Sequence, residues 1–463
     1  MQKVMKIWIS KTNHPKLFYF AKKNALLSKC LYNAALFRMR QTFTGWNKEK
    51  RTANENEIFT ELELLRKHYP KLRIDQLLTY KALDKLMRVT HNPDYFAGLP
   101  MQTAEAVARE VQQNFDDWMK SLNSYKDDPT GYTGRPKMPG YLKGGEHTFA
   151  VTNQDAVLYP AKEGGADLKL PGFRKKEREH LEGITADCDL RQVVFKPFCG
   201  GYIMSLTVKE ETLEMDVQLP NYAGIDLGAD NLAAISCTDG SCIVYKGGAV
   251  LAANRRFAKE RADAVSQITS GHKHKHADSR HLRFLSRRHE FFIYDQFHKI
   301  TTDAVRWLAA HDVGTVVIGK NPLWKQKADM GRKNNQLFVM IPHDKFRKML
   351  EYKAMRMGII VIEQEESYTS KADVTAGDAM PVYGEEVKDV HFSGSRITRG
   401  LYRTNANAGL LINADCNGAA NILRKAYAGA WNNVFNFRFL ATPEKRDFKD
   451  LNRPAQNNMP KIA

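Results

Sequence analysis

Tyr222-Ala223-Gly224-Ile225-Asp226-Leu227-Gly228 is an apolar strand that runs into an acid and a glycine, and Asn231-Leu232-Ala233-Ala234-Ile235 begins a second strand just beyond it. An aspartate at the end of a strand is unfavourable unless something binds it. A divalent cation would do so, because hard cations take oxygen ligands. Gly228 gives the backbone room at the turn. A turn-forming aspartate in a hairpin is the competing reading, although Asp230 suits that role better.

Outward from this stretch, strands are expected at 222–227, 231–237, 242–246, 315–319 and 359–364. Helices alternate with them. One covers about 279–310, with Ile293, Phe297, Ile300, Ala304 and Trp307 as its stripe. Another covers about 343–357, with Phe346, Leu350, Ala354 and Met357, and a third starts near Cys416. Upstream, Phe149-Ala150-Val151, Val193-Val194-Phe195 and Tyr202-Ile203-Met204-Ser205-Leu206 read as antiparallel strands in 147–220. The strand at 2–12 could join that sheet. Helical spacing fills about 14–123. Its clearest stripe is Val107, Val111, Phe115, Trp118 and Leu122, with Thr103 placed to cap the start. A chain of 463 residues exceeds one ordinary core. Hairpins followed by β-α-β units give a multidomain α+β protein with a mixed sheet covered by helices.

The net charge of +18 favours polyanionic partners, nucleic acid first, over solubility alone. No apolar run is long enough for a membrane helix, so no membrane partner is expected. The first residues read as a strand and not as a signal peptide. Six cysteines without a Cys-x-x-Cys pair suit reduced thiols and a cytoplasmic location. The tail from about 440 is polar, basic and expected to be mobile.

Two further groups of acids stand out. Asp415, in Asn413-Ala414-Asp415-Cys416-Asn417-Gly418-Ala419-Ala420-Asn421-Ile422-Leu423, falls where a helix begins, so it either caps that helix or projects into a metal site. Glu363, Glu365 and Glu366 end the strand Gly358-Ile359-Ile360-Val361-Ile362. They repel one another unless solvated or relieved by a cation. Cleavage of a phosphodiester by two metal ions, one activating water and one stabilising the leaving oxygen, needs several such carboxylates. Basic residues are candidate nucleic-acid contacts. Tyr132, Arg135 and Lys137 lie on the Gly/Pro-rich loop 128–141. Arg283, Arg287 and Arg288 lie on one helix, and Arg396, Arg399 and Arg403 lie around Gly394 and Gly400. A plain surface loop and a solvated helix face are the competing readings. The tract His272-Lys273-His274-Lys275-His276 reads as a solvated or phosphate-facing loop, because its lysines repel cations.

In order and spacing, Asp226, the strand Thr315–Asn321, Tyr368-Thr369-Ser370 and Asp415–Ile422 resemble the RuvC-type nuclease domain of the TnpB (OrfB) proteins of insertion sequences, whose core the type V CRISPR effectors share. Residues 98–141 resemble the family's helix and Gly-Arg-Pro-Lys loop. The run from Val317 to Gln326 is similar to one in a subset of the family. The resemblance implies an RNase H-like (RuvC) α/β core, a wedge-like β-barrel and an α-helical recognition lobe. The implied domains are 1–13 and 126–220 for the wedge, 14–125 for the recognition lobe, and 221–370 with 412–430 for the core. An insert at 371–411 and a tail at 431–463 complete the chain. The resemblance also implies an RNA-guided DNA endonuclease with two magnesium ions, a guide RNA from its own locus and a double-stranded DNA target. Asp226, Glu366 and Asp415 would ligate the metal.

This chain departs from the family twice. The second catalytic acid usually ends the strand that here reads Thr315-Val316-Val317-Ile318-Gly319-Lys320, and no acid stands there. Adjacent strands lie about 4.8 Å apart, so a neighbouring strand end could present it. Glu366 is preferred, and Glu365 is the alternative. A nuclease-inactive, RNA-guided DNA-binding regulator of the same fold is the runner-up, and a DNA-only nuclease such as a junction resolvase is a third reading. In addition, residues 371–411 contain no cysteine where the family usually has two Cys-x-x-Cys pairs, so no zinc is expected.

Overall fold

The chain divides into two units, Met1–Glu211 and Thr212–Ala463. A computed structural model describes residues 2–162, 164–209, 219–270, 277–320, 340–382, 391–405, 409–434 and 436–452. The His272–His276 tract and the part of the Val317–Gln326 run beyond Lys320 lie outside the described residues.

In the first unit, β1 (Gln2–Ile9) pairs antiparallel with β7 (Gly201–Lys209), as the sequence suggested. It places Ile7 opposite Met204 and Ile9 opposite Tyr202. With β2 (Phe149–Thr152) and β6 (Asp189–Phe198), they form a sheet ordered β1-β7-β6-β2. The strands β3 (Val157–Pro160), β4 (Ala166–Lys169) and β5 (Glu179–Leu181) form a separate sheet. Among the described residues, no ladder closes either sheet into the expected barrel.

Helices α1 (Pro15–Gly45), α2 (Ala53–His68), α3 (Tyr80–Val89) and α4 (Met101–Asp127) pack around Leu36, Met39, Leu62, Leu86, Val111 and Phe115. Thr103 does not cap α4. The helix starts earlier, after Pro100, and the buried Thr103 hydroxyl donates to Ala150 O at 2.7 Å. The loop after α4 is tied to the helices by Trp118 Nε1 to Pro136 O and by Arg40 to Pro139 O, and Tyr132, Arg135 and Lys137 stay exposed.

The second unit holds a six-stranded sheet. Its strands are β8 (Asn221–Asp226), β9 (Asn231–Cys237), β10 (Cys242–Lys246), β11 (Val313–Lys320), β12 (Ile360–Glu365) and β16 (Glu444–Arg446), in the order β12-β11-β8-β9-β10-β16. The first three strands in sequence are antiparallel, and β11 joins β8 and β12 in parallel. Strand alternation sorts the side chains. Ala223, Ile225, Val316 and Ile318 pack on α6 (Arg280–Ala310) and α7 (His343–Arg356). Val317, Ala234 and Val244 face the opposite layer with α8 (Ala414–Ala426).

Helix α5 (Gly248–Thr269) has no counterpart among the sequence expectations. The expected mobile tail is partly ordered: Glu444–Arg446 extends the sheet beside β10, and α9 (Phe448–Leu451) follows it. Between β12 and α8 lies a small antiparallel sheet of β13 (Ser395–Thr398), β14 (Leu401–Arg403) and β15 (Leu411–Asn413).

Gly224 sets how closely α8 approaches β8. A Cβ at 224 would stand 1.9 Å from Ala419 O and 2.9 Å from Leu423 Cβ. Gly224→Ala is expected to destabilise the second unit by about 2 kcal/mol or more, as overpacking does. Chemical denaturation measures this, and an unchanged midpoint would show that the approach is adjustable.

Candidate functional site

Three separate segments meet at one end of this sheet. Asp226 is the last residue of β8 and, by alternation, points like Gly224 toward α8. Glu366 follows β12. Asp415 lies in the first turn of α8. All three line one cleft of about 340 Å³, together with Gly228, Asn231, Tyr368 and Arg396.

Asp415 does not cap its helix. Asn413 does, its side-chain oxygen accepting from the N–H groups of Asp415 and Cys416 at 3.0 Å each. That leaves the Asp415 carboxylate to the cleft, where Asn231 Nδ2 donates to one oxygen at 2.5 Å and Arg396 Nη2 to the other at 3.0 Å. Lys246 Nζ holds the amide oxygen of Asn231 at 3.0 Å and so orients that side chain.

The glutamates Glu363 and Glu365 of β12 and Glu366 just beyond it each have their own environment. Ile318 and Glu363 are register partners on the face toward α7, and Glu363 pairs there with Arg347 at 2.6 Å and with Lys320 at 2.5 Å. Glu365 accepts from Lys425 Nζ at 2.5 Å and from Ser367 N at 2.6 Å. Burial alone would raise the Glu365 carboxyl, but these bonds hold it below the ordinary range. Glu366 remains for the cleft. Burial, and then the charge of Glu365, push its carboxyl up to about 7. Asp226 lines the cleft as well. Burial, followed by the charges of Glu366 and Asp415, holds its carboxyl well above the usual range, against a smaller opposing effect of Arg396.

Two glycines make room for these groups. A Cβ at Gly418 would stand 2.6 Å from Asp226 Oδ2. A Cβ at Gly319 would stand 2.5 Å from Glu366 Oε2 and 2.7 Å from Ile422 Cδ1. The Glu366 carboxylate thus occupies the volume into which a side chain at 319, near the end of β11, would project.

The hairpin carrying Arg396 is anchored by carboxylates. Asp373, fully buried, accepts from Thr375 N, Thr375 Oγ1 and Asn405 N. Asp378 accepts from Asp373 N, Ser393 N and Ser393 Oγ. From α8, Asn417 and Asn421 bind the backbone of the same segment. Arg399 pairs with Asp230 at 2.8 Å.

Of the basic candidates, only Arg396 lines the cleft. Arg283 pairs with Asp278 and Arg288 with Glu260, Arg287 lies on the same helix α6, and Arg403 is exposed on β14. Tyr132, Arg135 and Lys137 belong to the first unit. Sequence reasoning gave no role to Asn231, Gly319, Gly418 or Lys425.

The donor set is all-oxygen and under mutual repulsion, which suits a hard divalent cation. Among the described residues, no three His, Cys, Asp or Glu side chains converge tightly enough to hold one ion.

Residues 205–324 match a family model described as OrfB_IS605, probable transposase, and residues 343–422 match one described as Cas12f1-like, TNB domain. The structure is similar to that of a Cas12f1–sgRNA–target DNA complex. It has a TM-score of 0.50 and 13% identity, covering 88% of this chain and 82% of that one. A CRISPR-Cas12f ternary complex aligns at TM-score 0.32 and 14% identity, over 86% and 81%. No curated protein matches the chain.

Without divalent cation, Glu366→Gln is expected to stabilise the second unit above pH 7 by up to about 3 kcal/mol, at about 1.4 kcal/mol per pKa unit. A glutamate shifted from 4.5 to about 7 is penalised in the fold once the unfolded form ionises, so the gain fades as pH falls toward 4.5. Glu365→Gln removes the Lys425 pair and destabilises. Denaturation midpoints at about pH 8 and about pH 5 measure both effects. A Glu366→Gln protein that is less stable at the higher pH contradicts this electrostatic picture.

Proposed function

We propose, for a chain that belongs to the TnpB (OrfB)/Cas12f-like family, that the acid-lined cleft is the hydrolytic centre of an RNA-guided, magnesium-dependent DNA endonuclease. The observation that carries this reading is the meeting of Asp226, Glu366 and Asp415 from three separate segments, with two of the carboxyls raised by burial and like charge. The strand order, with antiparallel β8-β9-β10 and parallel β11 and β12 on the other side of β8, supports an RNase H-like (RuvC) core.

In this reading Asp226, Glu366 and Asp415 would hold two magnesium ions. When bound, the ions supply a polarised phosphodiester, an activated water and a stabilised leaving oxygen. The protein's own residues hold these oxygens in place. Lys425 fixes the turn that presents Glu366, Asn231 orients Asp415, and Arg396 adds positive charge beside the substrate phosphate. Base pairing between a guide RNA from the protein's own locus and double-stranded DNA supplies sequence specificity. The chain's excess of 18 positive charges holds the nucleic-acid backbone, with Tyr132, Arg135, Lys137, Arg283, Arg287, Arg288, Arg399 and Arg403 as candidate contacts.

The test is to express the protein with its flanking locus, sequence the RNA that co-purifies, and assay cleavage of a matched target with magnesium. Asp226→Ala and Asp415→Ala are expected to lower cleavage at least about a hundredfold, Glu366→Ala comparably, and Glu365→Ala much less. Full cutting by Asp226→Ala would sink the mechanism. Bound RNA and target without cutting by the wild type would identify the nuclease-inactive regulator instead.

A further inference from the structure

Tyr368 combines two unusual properties. Its φ is +67°, in the left-handed region that bulky side chains avoid. Its residue also lines the cleft beside Asp226, Glu366, Asp415 and Arg396. Strained backbone of this kind persists only where the surroundings enforce it, and it concentrates at functional sites.

The surroundings here do enforce it. Tyr368 O accepts from Lys371 N at 2.9 Å and Ala372 N at 3.0 Å. Thr369 Oγ1 donates to Glu366 O at 2.8 Å, and Asn421 Nδ2 of α8 donates to Thr369 O at 3.0 Å. Glycine would make the same turn without strain, so the turn alone does not explain a tyrosine. The ring is half-buried. It stacks on Phe392, with centroids 5.9 Å apart and planes 29° apart, and Lys371 Nζ lies 5.8 Å from its centroid. A supported aromatic ring, an adjacent exposed lysine and Arg396 in the same cleft are what an unpaired nucleotide needs, a stacking surface for its base and cations for its phosphate.

We propose that Tyr368 is a nucleobase platform, on which a base of a single strand stacks next to the phosphate lying over Asp226. This rests on the nuclease reading of the cleft and assigns the base contact to one residue. Duplex bases already stack on their neighbours and cannot use the ring.

The test uses the full chain with calcium in place of magnesium and a short single-stranded DNA containing 2-aminopurine, with the same oligonucleotide in a duplex as control. The wild type is expected to quench the single strand on binding and to leave the duplex unquenched. Tyr368→Gly is expected to lose the quench and bind about tenfold more weakly, as loss of one stacked base does, while its denaturation midpoint stays equal or rises. Tyr368→Phe and Tyr368→Trp are expected to keep the quench. A Tyr368→Gly protein that quenches like the wild type, or a duplex quenched as strongly as the single strand, overturns the proposal. The readout does not depend on turnover. Absent cleavage with an intact Tyr368-dependent quench therefore counts against the nuclease reading alone, and normal cleavage by Tyr368→Gly without any change in quench counts against the platform alone.

Discussion

The arrangement of the second unit turns on the repulsion between carboxylates gathered around Asp226. Among the described residues, no nearby cation neutralises the group as a whole. Arg396 reaches Asp415, Lys425 is committed to Glu365, and Arg347 and Lys320 to Glu363. Burial then makes the remaining charge costly, and the raised carboxyls of Asp226 and Glu366 are its signature. A fold that keeps such a cluster gives up stability at neutral pH, a pattern expected of a site and not of a structural core.

Space is the second constraint. The acids fit only because small residues face them. Gly418 on α8 leaves room for Asp226, Gly319 on β11 leaves room for Glu366, and Gly224 lets the helix lie against the strand at all. Gly319 near the end of β11 and the glutamate after β12 are thus two sides of one arrangement. The first strand vacates the volume, and the turn after its neighbour fills it.

Much of this was legible in the sequence because it rests on local periodicity. The apolar run that ends in Asp226 and the stripes of α6 and α7 mark strand and helices directly. The choice between Glu365 and Glu366 was not legible, since it depends on Lys425, some sixty positions later, claiming Glu365. The role of Asp415 was ambiguous for a similar reason: a first-turn acid looks like a cap until Asn413 is seen to do that work. Thr103 misled because a threonine near a helix start carries the same signal whether it caps or is buried against a strand. The ordered segment at 444–451 was hidden by its polar composition, because its strand pairs with β10 from a distant part of the chain.

In the proposed mechanism neither cation binds without Asp226. The most direct test is to count manganese bound to the full-length protein by electron paramagnetic resonance, comparing wild type with Asp226→Asn and Glu366→Gln at equal metal concentration. Two ions in the wild type, one in Glu366→Gln and none in Asp226→Asn is the result expected. An Asp226→Asn protein that binds manganese as the wild type does would contradict it.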